Sequence, residues 1–127
     1  MHTPITSDHA PKPRGPYSPA IIASGPTVYV SAQGPIDPAT NQFVTGGFHE
    51  QAVRVFENIS ALLEAAGTSW QYAVKVTVFL ADFSNFAALN DVYLQYVKEP
   101  YPARSTIQAP VGNSAISVDC IAVLPDE

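Results

Sequence analysis

The sequence predicts an α+β fold of two layers, a sheet with helices on one face only. Three observations predict it. Strand-length runs rich in β-branched and aromatic residues recur along the chain, only two segments carry helical periodicity, and two helices are too few to cover both faces of such a sheet.

Each element follows from its own residues. Met1 to Gly15 carries Pro4, Pro11 and Pro13 and is expected to run as an extended arm, ordered where it docks. Ala20 to Ala23 and Thr27 to Ala32 are short β-favouring runs, and Ser24-Gly25-Pro26 between them predicts a tight antiparallel hairpin. Asp37-Pro38-Ala39-Thr40-Asn41 is turn chemistry leading to a brief extended piece around Phe43 and Val44. From Phe48 to Ala66 the residues Val53, Phe56, Ile59 or Ser60, and Leu63 recur at helical spacing, with Gly67 as the stop. Tyr72 to Leu80 alternates Val74, Val76, Val78 and Leu80 against Ala73, Lys75, Thr77 and Phe79, which predicts a central strand. Asp82 or Ser84 can cap a second helix over Asn85 to Val97, with the stripe Phe86, Leu89, Val92 or Tyr93, and Tyr96, ended by Pro100 and Pro102. Arg104 to Ala109 and Ala115 to Leu124 complete the order as two strands joined by the turn Pro110 to Ser114. The uncovered sheet face is expected to be closed by other copies of the chain in a symmetric oligomer.

Composition narrows the function. The 127 residues, 46% hydrophobic and 13% charged, fit one domain over 1–127 with its own core. A net charge of −5, from six Lys and Arg against eleven Asp and Glu, leaves no basic surface for a run of phosphates, so no nucleic-acid partner is expected. The single Cys120 makes neither an internal disulfide nor a metal cluster, and no apolar stretch approaches membrane-spanning length. A soluble, cytoplasmic protein without metal or membrane partner is the expectation.

No standard nucleophile, zinc, phosphate-loop or dinucleotide motif is present. His2, His9 and His49 are scattered and read as surface residues, Cys120 as a small buried hydrophobe, and Arg54 as part of a solvated helix face. Arg104 stands out, one of three arginines, placed where a loop hands over to a strand in Pro102-Ala103-Arg104-Ser105-Thr106. Its planar fork of donors fits a carboxylate bidentately, so it reads either as the anchor for a small acid or as an intersubunit salt bridge. Gly15-Pro16-Tyr17-Ser18-Pro19-Ala20 places one aromatic hydroxyl at the end of the arm.

Together these segments form a recognisable set. Gly15-Pro16-Tyr17-Ser18, Val30-Ser31-Ala32-Gln33, Asn58 with Glu64-Ala65-Ala66-Gly67, Lys75-Val76-Thr77-Val78-Phe79-Leu80, Asn90-Asp91-Val92-Tyr93, Pro102-Ala103-Arg104-Ser105 and Ile121-Ala122-Val123, in this order, resemble the Rid family over nearly the whole chain. The resemblance implies a chorismate-mutase-like two-layer fold and a homotrimer with a barrel-like core. It also implies a site at each subunit interface and hydrolysis of 2-imino acids such as 2-iminopropanoate and 2-iminobutanoate to 2-oxo acids and ammonia, without a cofactor. By motif, Arg104 matches the carboxylate-binding arginine, Tyr17 the ring lining the pocket across the interface, and Asn90 a polar pocket residue. Ser31 and the Ala32-Gln33-Gly34 backbone match the loop beside the substrate, and Thr106 the residue whose main-chain carbonyl holds the water. The family's deaminases carry Ile-Glu-Ile-Glu in the last strand, where this chain has Ile116-Ser117-Val118-Asp119. Anchoring on Ile121-Ala122-Val123 puts Ser117 at the water-holding glutamate, and anchoring on Arg104 puts Asp119 there. Binding of an oxo acid or amino-acid metabolite without turnover is the alternative reading.

Overall fold

The chain's computed structural model describes residues 2–126. In order its strands and helices are β1 (His2–Ile5), β2 (Ala20–Ala23), β3 (Thr27–Gln33), β4 (Ile36–Asp37), β5 (Gln42–Phe43), α1 (Phe48–Ala66), β6 (Ala73–Leu80), α2 (Phe86–Tyr96), β7 (Ala103–Gln108) and β8 (Ile116–Val123). Single 3₁₀ turns at Trp70–Tyr72 and Phe83–Asn85 lead into β6 and α2. The main sheet is mixed, in the order β3-β8-β6-β7, with β6 and β7 parallel and the other two pairs antiparallel.

Burial alternates with period two along the inner strands, so the pleat itself sorts the two faces. Val76, Val78 and Leu80 of β6 and Ile116, Val118, Cys120 and Ala122 of β8 are buried. They share one core with Val55, Phe56, Ile59 and Leu63 of α1 and Leu89, Val92 and Tyr93 of α2. Thr77, Phe79, Ser117 and Asp119 point to the other side and are half-exposed. That side mixes polar and apolar residues. The helix stripe over α1 turns slightly from the expected one: Ala52 and Val55 are buried, whereas Val53 is only half-buried.

Gly67 ends α1 as expected, at φ 89° in the left-handed region, with its N–H returned to the Glu64 carbonyl. Asp82 caps the 3₁₀ turn before α2 by accepting from the Ser84 N–H at 2.8 Å.

The expected β2–β3 hairpin is not formed. β2 pairs instead with β1 of the arm, and β3 pairs with β8. Gly25 at φ 108° and Pro26, which lacks an N–H, redirect the chain between them, and the Pro26 carbonyl accepts from Leu124 to start the β3–β8 ladder. The arm is thus a strand for four of its residues, and residues 6–15 beyond them are exposed. Met1, its first residue, lies outside the described residues. The turn chemistry at 37–41 closes a small hairpin of β4 and β5, with Asn41 at φ 56°.

Candidate functional site

Arg104 lies on β7, an edge strand of the main sheet. In the β6–β7 register Arg104 sits beside Val76 and Thr106 beside Val78, so both side chains lie on the helix-covered side. There α2 presents Phe86, Asn90 and Tyr93, spaced i, i+4 and i+7 on one stripe. The guanidinium donates from Nη1 to Asn90 Oδ1 at 2.8 Å, and its Cζ lies 4.8 Å from the Tyr93 ring centroid and 5.6 Å from that of Phe86.

Burial pulls the Arg104 pKa below its ordinary value, opposed by the Tyr93 and Tyr17 hydroxyls. Among the described residues no carboxylate pairs with it. A half-buried, oriented cation without a counter-charge is the electrostatic description of an anion receptor.

The arm brings Tyr17 near this cation. Ser18 N donates to the Pro102 carbonyl at 3.1 Å and Ser18 Oγ to the Tyr101 carbonyl, which fastens the arm to the segment entering β7. The Tyr17 hydroxyl accepts from Arg14 N at 3.2 Å. A cavity of about 460 Å³ is lined by Pro13, Tyr17, Ser18, Pro19 and Tyr101 among others, but not by Arg104 or Asn90.

The remaining expected residues gather elsewhere. Thr77 is opposite both Ser105 and Asp119, so Asp119, and Ser117 two residues along, lie on the sheet face away from the helices. The β3–β8 ladder slips between Val30 and Gln33, which places Ser31 and Ala32 across from Asp119. Gly34 follows, held by Asn58, whose Nδ2 donates to the carbonyls of Ile36 at 2.8 Å and Gly34 at 3.5 Å. Arg54 Nε donates to Asn58 Oδ1 at 3.1 Å, so Arg54 is a half-buried brace and not the solvated residue expected.

The candidate residues of one chain therefore fall into two groups: Arg104, Asn90 and Tyr17 on one side, and Ser31, Ala32, Asp119 and Ser117 on the other. β6 separates their strands, which puts β7 and β8 roughly 10 Å apart, and their side chains point to opposite faces.

Thr106 joins the first group by its side chain, and its Oγ1 is buried without a hydrogen-bond partner among the described residues. Tyr93 and Phe86 contact the arginine yet were assigned no role from the sequence. The signal was present in their helical spacing from Asn90, which the core stripe masked.

His9 and His49 are exposed, whereas His2 packs edge-on to Tyr72 with ring centroids 5.8 Å apart and its Nε2 buried, against the surface reading. Cys120 is buried, and its thiol is pushed up to about 12, as suits a core residue. Among the described residues no cluster of His, Cys, Asp and Glu could hold a metal ion.

The family model described as Endoribonuclease L-PSP matches residues 7–124. The chain belongs to the Rid family. It is 49% identical over 104 residues to a RutC family protein of Pyrococcus abyssi, covering 82% of this chain and 81% of that one. It is 42% identical over 122 residues to the 2-iminobutanoate/2-iminopropanoate deaminase of Capra hircus, covering 94% and 88%. Among solved structures, RidA from the Antarctic bacterium Psychrobacter superposes with a TM-score of 0.74 at 41% identity, covering 96% of this chain and 99% of that one. The α+β architecture of two helices on a mixed sheet is the fold of these Rid proteins.

Proposed function

We propose that this Rid protein hydrolyses reactive 2-imino acids, such as 2-iminopropanoate and 2-iminobutanoate, to 2-oxo acids and ammonia. The observation that carries the reading is Arg104: half-buried, oriented by Asn90, and paired with no carboxylate among the described residues. The substrate carboxylate supplies the missing charge, and the fork fixes where the imine carbon lies.

A protonated imine is already electrophilic, so holding it while one water is aimed at its carbon is most of the catalysis. The Thr106 main-chain carbonyl holds that water, and Asp119 or Ser117 orients it. Because Asp119 and Arg104 of one chain face apart, the acid that reaches a given Arg104 comes from a second copy. A homotrimer with sites between subunits satisfies this requirement and covers the open sheet face, and no cofactor is called for. Among the described residues no helix is long and apolar enough to cross a membrane, and a cytoplasmic site of action is part of the proposal.

A second reading, metabolite binding without turnover, is favoured by Ser117, which hydrogen-bonds water but is no base near neutral pH. The ribonuclease reading carried by the family model's description is opposed by the net charge of −5.

The test is release of ammonia and 2-oxo acid from 2-iminopropanoate and 2-iminobutanoate generated in place by an amino-acid oxidase. Wild type should accelerate release and Arg104→Ala should not. No acceleration by a folded wild type that still binds 2-oxobutanoate would replace the deaminase with the binding protein.

A further inference from the structure

We propose that Tyr93 is a positioning residue for the Arg104 clamp, acting through the face of its ring and not through its hydroxyl. The inference rests on the acid-binding role given to Arg104 above and extends it to a residue that cannot itself reach the substrate, since Tyr93 is fully buried.

Among the described residues the guanidinium makes one hydrogen bond, Nη1 to Asn90 Oδ1, and a single such contact would by itself leave the group free to swivel about it. A flat wall removes the swivel. The Tyr93 ring, 4.8 Å from Cζ, is the nearer of two such walls, and Phe86 at 5.6 Å is the other. The wall is itself immobile. Tyr93 meets Phe56 edge-on at 5.9 Å, and Phe56 in turn packs on Tyr96 and Trp70, each with centroids 5.4 Å away. The orientation of the clamp is thereby tied to the aromatic centre of the core. With Nη1 engaged by Asn90, the Nε and Nη2 edge of the fork is left to take the carboxylate.

The Tyr93 hydroxyl is buried and has no hydrogen-bond partner among the described residues. A spectator hydroxyl in that setting is a cost to the fold, and its removal leaves the ring where it was.

An arginine held ready keeps its rotamer entropy from being charged to each binding event, and the gain is equal for ground and transition states. Loss of the wall therefore raises KM, and the Kd for 2-oxobutanoate, about tenfold while kcat stays within about twofold. A merely structural defect would lower the active fraction, and so kcat, at unchanged KM.

The experiment measures both constants in wild type, Tyr93→Leu and Tyr93→Phe, and in chains with one, two and three ring fluorines on a phenylalanine at this position. Fluorination weakens the ring face at almost constant volume, so the series stands even if Tyr93→Leu fails to fold. Expected are wild-type constants for Tyr93→Phe and a KM that climbs stepwise with fluorination. A flat fluorine series, or a Tyr93→Phe variant as impaired as Tyr93→Leu, overturns the ring-face role. Failure of wild type to bind 2-oxobutanoate at all would instead remove the acid-binding reading beneath it.

Discussion

Replacing Arg104 by alanine should abolish acid binding and leave the fold standing, and the two halves of that expectation come from different features. The substrate carboxylate would lose a bidentate, charge-assisted pair. Each such bond contributes about 1.5 to 3 kcal/mol, and part of that is offset by desolvation, so a net loss of about 3 to 4 kcal/mol is expected. At about 1.4 kcal/mol per decade this is a fall of roughly two to three orders of magnitude in kcat/KM. The fold, by contrast, loses a half-buried cation that among the described residues makes one side-chain hydrogen bond, to Asn90, and whose charge is disfavoured by burial. Its removal should change stability by no more than about 1 kcal/mol. A thermal-shift titration with 2-oxobutanoate reads both quantities in one assay at fixed protein concentration. Ligand at a hundred times Kd stabilises by about 2.7 kcal/mol, a rise on the order of 10 °C for a chain of this size. Wild type should show that rise, and Arg104→Ala should show the same unliganded midpoint with no rise. A ligand-induced shift retained in the variant, or an unliganded stability lowered by several kcal/mol, would refute the clamp and favour the intersubunit salt bridge.

Two further outcomes test parts of the same scheme. Asn58→Ala removes the amide that holds the Gly34 and Ile36 carbonyls, and should cost about 1 to 3 kcal/mol in urea unfolding; an unchanged midpoint would mean the brace carries no load. Cys120 titrates in the folded chain near 12 instead of its ordinary 9.0, so the unfolded chain releases this proton first. Its contribution is complete below pH 9.0 and is lost as pH rises toward 12. Urea midpoints measured from pH 8 upward should fall less steeply in Cys120→Ala than in wild type, and parallel curves would contradict the assignment.

Much of the fold was legible because its determinants are local. The stripe on α1 and the Gly67 stop fixed that helix to its ends, and the alternation through β6 identified a central strand. What a run of β-favouring residues does not contain is its partner. Ser24-Gly25-Pro26 reads as a hairpin turn, yet the ladder that forms is between β2 and the arm, a choice made by contacts distant in sequence. The site divides in the same way. Arg104, the proposed clamp, stood out by its residue type and place at a strand mouth. Tyr93 was hidden because a tyrosine on an apolar stripe reads as core, which it also is. The separation of Arg104 from Asp119 depends on the parity of two registers, and a shift of one residue in either would reverse it.

That parity yields the last prediction. If Arg104 and Asp119 served one site within a chain, a mixture of Arg104→Ala and Asp119→Asn chains would contain no intact site whatever its assembly. With the two residues on opposite faces of one sheet, a site that needs both takes them from different copies. Unfolding the two inactive variants together and refolding them at equal amounts should then rebuild about a quarter of the sites, because each of two positions is filled correctly half the time. Imine hydrolysis should reappear at about that fraction of wild type, while either variant refolded alone stays inactive. Absence of recovery from a mixture shown to contain hetero-oligomers would assign the water-orienting role to a group other than Asp119. An Asp119→Asn variant that is fully active before mixing would reach the same conclusion and leave Ser117 as the residue to replace.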